Sequence, residues 1–272
     1  MLLLYGKPLA QKVERDIARH ILRQSRGQAG KMRRKPALAV VLAGDNHASV
    51  NYVERKGLAA RSVGCGFAVH RLPAGVSQAR VALLIEKLNK SKLVDGIIVQ
   101  LPMPTKFNTQ KILSAIAPQK DVDNLRGDSP YLSPSVQAIW HMLSKAGKPQ
   151  KHTSILIVGH GRLIGKPVYG FLLKKGFTNI TVADKTTKNL STLTAKADVI
   201  ISAVGKPGLI KKVKKGAIVI DAGSGLKKGK IKGDVDVARV AQLAKIVTPV
   251  PGGVGPLTVV YLFKNLLSAF LK

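Results

Sequence analysis

Residues 94–104 read Val-Asp-Gly-Ile-Ile-Val-Gln-Leu-Pro-Met-Pro. Ile97, Ile98 and Val99 form a continuous apolar run with Gly96 before it and Pro102 and Pro104 after it. β-Branched side chains favour extended backbone, and an unbroken apolar run, unlike an alternating one, needs cover on both faces. The run therefore predicts a central strand of a parallel sheet. Gln100 follows directly, at the end of the strand where open α/β sheets bind their ligands. Its amide offers one donor group and one acceptor to a ligand or to a catalytic partner. The competing reading is that Gln100 only ends the strand and satisfies loop backbone.

The flanking sequence supports such a sheet. Leu9, Val13, Ile17, Ile21 and Leu22 have helical spacing and predict a helix over 9–29. A buried strand follows over 37–42, and a helix over 48–63 carries Ser49, Tyr52 and Lys56. Tyr52 and Lys56 are four residues apart, so they share one helix face. A strand is expected over 67–71, a helix over 78–88 and a short helix over 109–117, stopped by Pro118. Four rounds of such alternation define a parallel α/β domain. The polar stretch from Lys120 to Pro130 reads as a loop. Its three carboxylates, Asp121, Asp123 and Asp128, are too few for a calcium loop. Ser133-Pro134 opens a helix to about residue 146 that leads into a second domain.

That domain starts with a strand over 154–158, then Gly159-His160-Gly161-Arg-Leu-Ile-Gly165 and a helix to about residue 175. Strand, glycine turn and helix are in the order a dinucleotide phosphate site requires, with one residue more between glycines than the usual fingerprint. Further strands are expected over 179–183, 198–202 and 217–221. Asp184 lies where an acid would meet an adenosine ribose, and Gly205-Lys206 follow the third strand of this half. The alternative is a turn whose glycines serve packing alone. The segment from Ile246 to Thr258 reads as a Pro- and Gly-rich loop that exposes peptide groups beside a site, with a terminal helix over 259–271.

The charge is the unusual property. Lys and Arg number 45 against 14 Asp and Glu, a net +31. Such a balance raises the prospect of an anionic partner. Yet the basic residues are spread along the chain, and in the densest run, from Lys206 to Lys232, several lie beside glycine. A solvated basic surface is the favoured reading, and nucleic acid is not expected. A single cysteine, Cys65, leaves no internal disulfide or cysteine-rich zinc site and suits a reducing cytoplasm, and no metal is expected. The apolar opening at residues 1–5 is too short for a signal segment, and no run suffices to span a membrane.

Four segments together resemble the bifunctional methylenetetrahydrofolate dehydrogenase/methenyltetrahydrofolate cyclohydrolase family. They are Ser49-Val-Asn-Tyr-Val-Glu-Arg-Lys56, residues 94–104, Lys120-Asp-Val-Asp123, and Thr248-Pro-Val-Pro-Gly-Gly-Val-Gly-Pro-Leu-Thr258. The resemblance spans essentially the whole chain. It implies two parallel-sheet α/β domains flanking a cleft, the second Rossmann-like, with the terminal helix packing back on the first. Residues 1–132 with 257–272 would form the folate-binding catalytic domain, and 133–256 the dinucleotide-binding domain. It implies an oxidoreductase and hydrolase of one-carbon metabolism and purine biosynthesis, cytoplasmic and homodimeric. Lys56 would be the central catalytic residue, with Gln100 positioning it. Tyr52 would stack on the folate, and Asp123 would bond the pterin. Pro251, Gly252 and Gly253 would line the substrate site. Gly159, His160, Gly161, Gly165, Asp184, Gly205 and Lys206 would hold the dinucleotide.

The departures from the family pattern concern the cofactor and the pterin end. His160 stands where the family usually has arginine, and Asp184 where it commonly has histidine. NADP is the family default, but an acid at that strand end suits the ribose hydroxyl of NAD. Asn124 replaces a family glycine in a shortened loop. Two other functions stay open on sequence alone: a basic nucleic-acid-binding protein on a retained enzyme scaffold, and a dehydrogenase of the same fold with another substrate. The joint presence of Tyr52, Lys56, Gln100 and Asp123 weighs against the second.

Overall fold

The computed structural model describes residues 1–25 and 34–272. In chain order its elements begin with β1 (Leu2–Leu3), α1 (Lys7–Ser25), β2 (Ala37–Ala43), α2 (His47–Val63), β3 (Gly66–Leu72), α3 (Gln78–Lys90), β4 (Gly96–Val99) and α4 (Thr109–Ser114). Next come α5 (Pro134–Gly147), β5 (Ile155–Val158), α6 (Gly165–Lys174), β6 (Ile180–Ala183), α7 (Leu190–Thr194) and β7 (Val199–Ser202). The chain ends with β8 (Ile218–Asp221), β9 (Gly225–Lys227), β10 (Lys230–Lys232), α8 (Val237–Val240), β11 (Ile246–Val247) and α9 (Val254–Phe270). The chain divides into two compact units: Gln11–Pro134 with Val259–Lys272, and Met1–Ala10 with Ser135–Thr258.

In the first of these units the strands run parallel in the order β3-β2-β4. The continuous apolar strands are covered on both faces, as expected. Leu38, Val40, Leu42 and Ile98 face Ile17, Val53, Ala60 and, from α9, Leu262, Phe263 and Leu266. Ala39, Val41, Ile97 and Val99 pack with Val81, Ile85 and Leu88 of α3 and with Ile112 and Leu113 of α4. The terminal helix thus supplies part of this core. At Gly96 an added Cβ would lie 2.8 Å from Leu266 and 2.9 Å from Val122, so α9 and the loop before Asp123 close over β4. Helix α2 starts where the Asn46 side chain accepts from the Ser49 N–H at 3.1 Å, and it stops at Gly64 in the left-handed region. Helix α1 begins at Lys7, before the expected residue 9, and residues 26–29 of that expectation lie outside the described residues.

The second unit holds a parallel sheet in the order β1-β11-β8-β7-β5-β6. After β5 the chain goes to β6 on one side, then to β7 on the other. This creates a topological switch point at the carboxyl end of β5, the place where α/β sheets bind ligands. Helix α5 carries Trp140, which packs edge-on against Phe171 of α6 and Phe177.

Several features differ from the sequence expectation. The first domain was expected to begin at residue 1, but residues 1–10 belong with the other unit. The reason is long-range pairing: Leu2–Leu3 align with Ile246–Val247, and the Gly6 N–H donates to the Gly252 carbonyl at 2.8 Å. Helix α9 begins at Val254, inside the expected loop and five residues before the expected start at 259. Gly255 and Pro256 fall in its first turn, where a missing N–H costs nothing. The β9–β10 hairpin was not expected; Lys227, Lys228, Lys230 and Lys232 are all exposed on it, a solvated part of the basic surface. Among the described residues, no helix is long and apolar enough to cross a membrane, and no cluster of His, Cys, Asp and Glu could hold a metal ion.

Candidate active site

The first unit brings together three of the four expected catalytic side chains. Lys56 projects from α2, and its Nζ donates to Gln100 Oε1 at 3.0 Å. Gln100 is only 7% exposed and is held at both ends: its N–H donates to the Val41 carbonyl at 2.9 Å, and its Nε2 to the Leu101 carbonyl at 2.6 Å. With the amide nitrogen committed to backbone, the oxygen is left for the lysine. Gln100 therefore fixes the amine and does more than close the strand.

Asp123 supplies the opposite charge. Both Lys56 and Asp123 keep some surface, yet the protein around them is dense enough that loss of solvent dominates their titration. Burial pushes the Lys56 amine below its ordinary value, partly offset by the Asp123 charge. Burial likewise raises the Asp123 carboxyl, partly offset by Lys56. Each group is thereby brought closer to exchanging a proton near neutrality. Tyr52, one turn earlier on the same helix, is 44% exposed, an aromatic ring available to a ligand. About one turn before Tyr52, Ser49 is buried, and its Oγ has no hydrogen-bond partner among the described residues.

The loop that carries Asp123 is fixed by groups the sequence did not single out. Asp121 is buried and accepts from the Leu125 and Arg126 N–H groups at 3.1 and 2.8 Å. Asn265 of α9 donates to the carbonyls of Val122 at 2.8 Å and Leu132 at 2.9 Å. Asn124 adopts φ +53°, a left-handed conformation that asparagine tolerates better than most residues. Its side-chain oxygen accepts from the Gly127 and Ser129 N–H groups. This explains how asparagine stands where glycine is usual. Asn265 has no helical or motif signal in the sequence that could have marked it.

In the second unit the expected cofactor residues meet at the switch point. Gly159 has φ +97°, and a Cβ there would lie 2.8 Å from the Ala203 carbonyl. A Cβ on Gly165 would lie 1.9 Å from the Gly159 carbonyl, so the turn closes only with glycine at both places. Gly161 faces open space, and α6 opens at Gly165 with no side-chain cap. A helix N-terminus above a close-packed glycine turn, with room over Gly161, fits a dinucleotide pyrophosphate. Gly205 has φ +82° in the turn after β7, beside the glycine turn through Ala203. Asp184 follows β6; its Oδ1 accepts from the Thr186 N–H at 2.9 Å and hydroxyl at 2.7 Å, and these bonds hold its carboxyl below the usual range. His160 adds to that effect, so the two departures from the family pattern are electrostatic neighbours.

The loop of Pro251, Gly252 and Gly253 also lies in this unit. A Cβ on Gly6 would lie 2.0 Å from the Gly253 carbonyl, so the N-terminal segment runs directly against it. The bonds preceding Pro102 and Pro251 are both cis.

A parallel sheet with a glycine turn at its switch point defines an NAD(P)-binding α/β enzyme, here joined to a second α/β unit that presents a lysine, an amide and an acid. The family described as tetrahydrofolate dehydrogenase/cyclohydrolase, catalytic domain, matches residues 4–123, and its NAD(P)-binding domain matches residues 133–272. The chain belongs to the tetrahydrofolate dehydrogenase/cyclohydrolase family. It is 39% identical to the bifunctional protein FolD of Sulfurihydrogenibium sp. (strain YO3AOP1), over 100% of this chain and 98% of that one. The bifunctional FolD of Campylobacter jejuni superposes with a TM-score of 0.91 at 34% identity, covering 100% of this chain and 99% of that chain. The FolD of Trypanosoma brucei, solved with NADP and an inhibitor, gives a TM-score of 0.91 at 29% identity, covering 99% and 97%. The activities are the family's two: NAD(P)-dependent oxidation of 5,10-methylenetetrahydrofolate, and hydrolysis of the methenyl product to 10-formyltetrahydrofolate.

Proposed function

We propose that both reactions are served by Lys56, Gln100, Tyr52 and Asp123, with Lys56 as the group that handles protons. The observation that carries this reading is the 3.0 Å bond from Lys56 to a Gln100 side chain itself fixed by backbone. Tyr52 offers a stacking face, and the Asp123 carboxylate can accept from the paired N–H donors on the pterin's amidine-like edge. Pro251, Gly252 and Gly253 offer backbone groups to the substrate. Gly159, His160, Gly161, Gly165, Gly205 and Lys206 hold the dinucleotide, which when bound supplies the hydride acceptor for the oxidation. Hydrolysis requires a proton to leave water as the new C–O bond forms and one to reach the departing ring nitrogen. An amine whose proton is loosened by burial is suited to that exchange. Removing it by Lys56→Ala should slow hydrolysis by about a hundredfold or more. The enzyme is read as a cytoplasmic homodimer, from its single cysteine and its family resemblance; sedimentation giving a 29.1 kDa species alone would refute the dimer.

Asp184 is the basis for the cofactor preference. Its carboxyl is held ionised by Thr186, and a 2′-phosphate placed against it meets like charge. A ribose diol meets an acceptor instead. The chain turns directly after β6, so Lys185 is free of strand alternation; Lys185 and Lys188 are cations that can oppose this effect, and the His160 ring can offer a donor to a phosphate. We therefore expect weaker NADP discrimination than the family norm, with NAD favoured. Asp184→Ser should shift the kcat/KM ratio toward NADP by about tenfold. A wild-type enzyme that strongly prefers NADP, with a ratio unmoved by the substitution, would remove Asp184 from cofactor selection.

A further inference from the structure

Away from the Lys56 site, the second unit buries two carboxylates side by side. Asp234 is 0% exposed and Asp221 1%. They are interlocked with two glycines. A Cβ on Gly223 would lie 2.0 Å from Asp234 Oδ2, and one on Gly233 would lie 2.1 Å from Asp221 Oδ2. Burying two acids together is costly unless each is fully used. The Asp221 carboxyl is pushed up to about 7 by burial, with the Asp234 charge adding to the rise, while its oxygens accept from the Val235 and Gly223 N–H groups.

Asp234 has a different set of partners. Its Oδ2 accepts from the Ser202 hydroxyl at 2.7 Å and from the Val204 N–H at 2.8 Å, and its Oδ1 accepts from the Lys206 N–H at 2.6 Å. Ser202 ends β7, and Val204 and Lys206 flank Gly205. One carboxylate thus grips the strand end and both sides of the turn. Backbone reinforces the register: Gly208 N–H donates to the Gly233 carbonyl at 3.0 Å, and Ile210 N–H to the Asp234 carbonyl at 2.9 Å. The outer side of the turn is closed by Ser224, whose carbonyl lies 3.1 Å from a Cβ placed on Gly205.

We propose that Asp234 is a positioning residue for the dinucleotide: its carboxylate sets the conformation of the Val204–Lys206 turn from beneath, so that Gly205 and Lys206 can meet the cofactor. The inference rests on the reading that this turn holds the dinucleotide. The chemistry requires a carboxylate here. Both oxygens face N–H donors, so an amide in either orientation would turn its own NH2 toward a backbone N–H. An apolar side chain would leave the Val204 and Lys206 N–H groups without the acceptor they have here. Displacing a binding group by about an ångström can cost a hundredfold in rate.

The test compares Asp234→Asn, Ser202→Ala and Lys206→Ala with the wild-type enzyme in two assays. One is methylenetetrahydrofolate oxidation at varied NAD and NADP. The other is methenyltetrahydrofolate hydrolysis with no dinucleotide present. For Asp234→Asn the expected result is a rise of about tenfold to a hundredfold in KM for the dinucleotide, with hydrolysis within about twofold of wild type. Ser202→Ala, which removes one donor and leaves the two backbone contacts, should raise that KM by about threefold. If Lys206→Ala raises KM but Asp234→Asn does not, the positioning role is overturned while the cofactor reading stands. If Lys206→Ala leaves KM unchanged, the cofactor reading of the turn itself fails. Loss of both activities together in Asp234→Asn, with Ser202→Ala unaltered, makes the acid a general support of the fold and also overturns the proposal.

Discussion

Lys56→Ala should lower hydrolysis of 5,10-methenyltetrahydrofolate by about a hundredfold or more, the size expected for loss of a positioned proton-transfer group. The variant should remain folded. Lys56 contributes a desolvated amine to the structure and belongs to neither apolar cluster around β2. Truncation removes the energetic burden of that amine, and Gln100 keeps its two backbone bonds. Loss of the methenyl absorbance, corrected for the spontaneous reaction, measures the rate, and a thermal melt checks the fold. An unchanged rate in a folded variant would take Lys56 out of the mechanism.

Gly165→Ala should act on the other reaction. Its new methyl group would lie 1.9 Å from the Gly159 carbonyl, a backbone atom that cannot swing aside. Overpacking of this kind typically costs about 1–3 kcal/mol and is relieved by moving the backbone. Here the backbone that moves is the glycine turn at the switch point. Oxidation of methylenetetrahydrofolate should fall by about a hundredfold through the dinucleotide KM, while hydrolysis, centred on the other unit, stays within about tenfold. Steady-state rates of both reactions on one preparation decide it. Normal dinucleotide binding in this variant would show that the turn does not cradle the pyrophosphate.

The parts of the fold that were legible in the sequence share a physical cause. Strands β2, β4, β5 and β7 are covered on both faces, so each appears as an unbroken apolar run. Helices α2 and α3 bury one face each, through Val53 and Ala60 and through Val81, Ile85 and Leu88, so their apolar residues recur at helical spacing. The failures also have causes. Strand β1 is two residues long and exists because of its partner β11 at the other end of the chain, a pairing with no local signature. Helix α9 hides its first turn behind glycine and proline, which are permitted there but read as loop. In the site, the shared helix face of Tyr52 and Lys56 follows from their four-residue spacing, whereas their proposed roles, like that of Asp123, come from the family resemblance; Gln100 stood out because it follows a buried strand. Asp234 and Asn265 were not visible, because side chains that bond to backbone leave no pattern of partner residue types.

The proposed mechanism makes Lys56, under the influence of Asp123, the titrating group of hydrolysis. The most direct measurement is the pH dependence of methenyltetrahydrofolate hydrolysis in the wild-type enzyme and in Asp123→Asn. Burial lowers the Lys56 amine, and the Asp123 charge holds it partly up. Removing that charge must let it fall further, whichever protonation state of the lysine is the active one. The inflection belonging to Lys56 should move to lower pH in Asp123→Asn and be absent from the residual activity of Lys56→Ala. An inflection at the same pH with Asp123 present or replaced would contradict it.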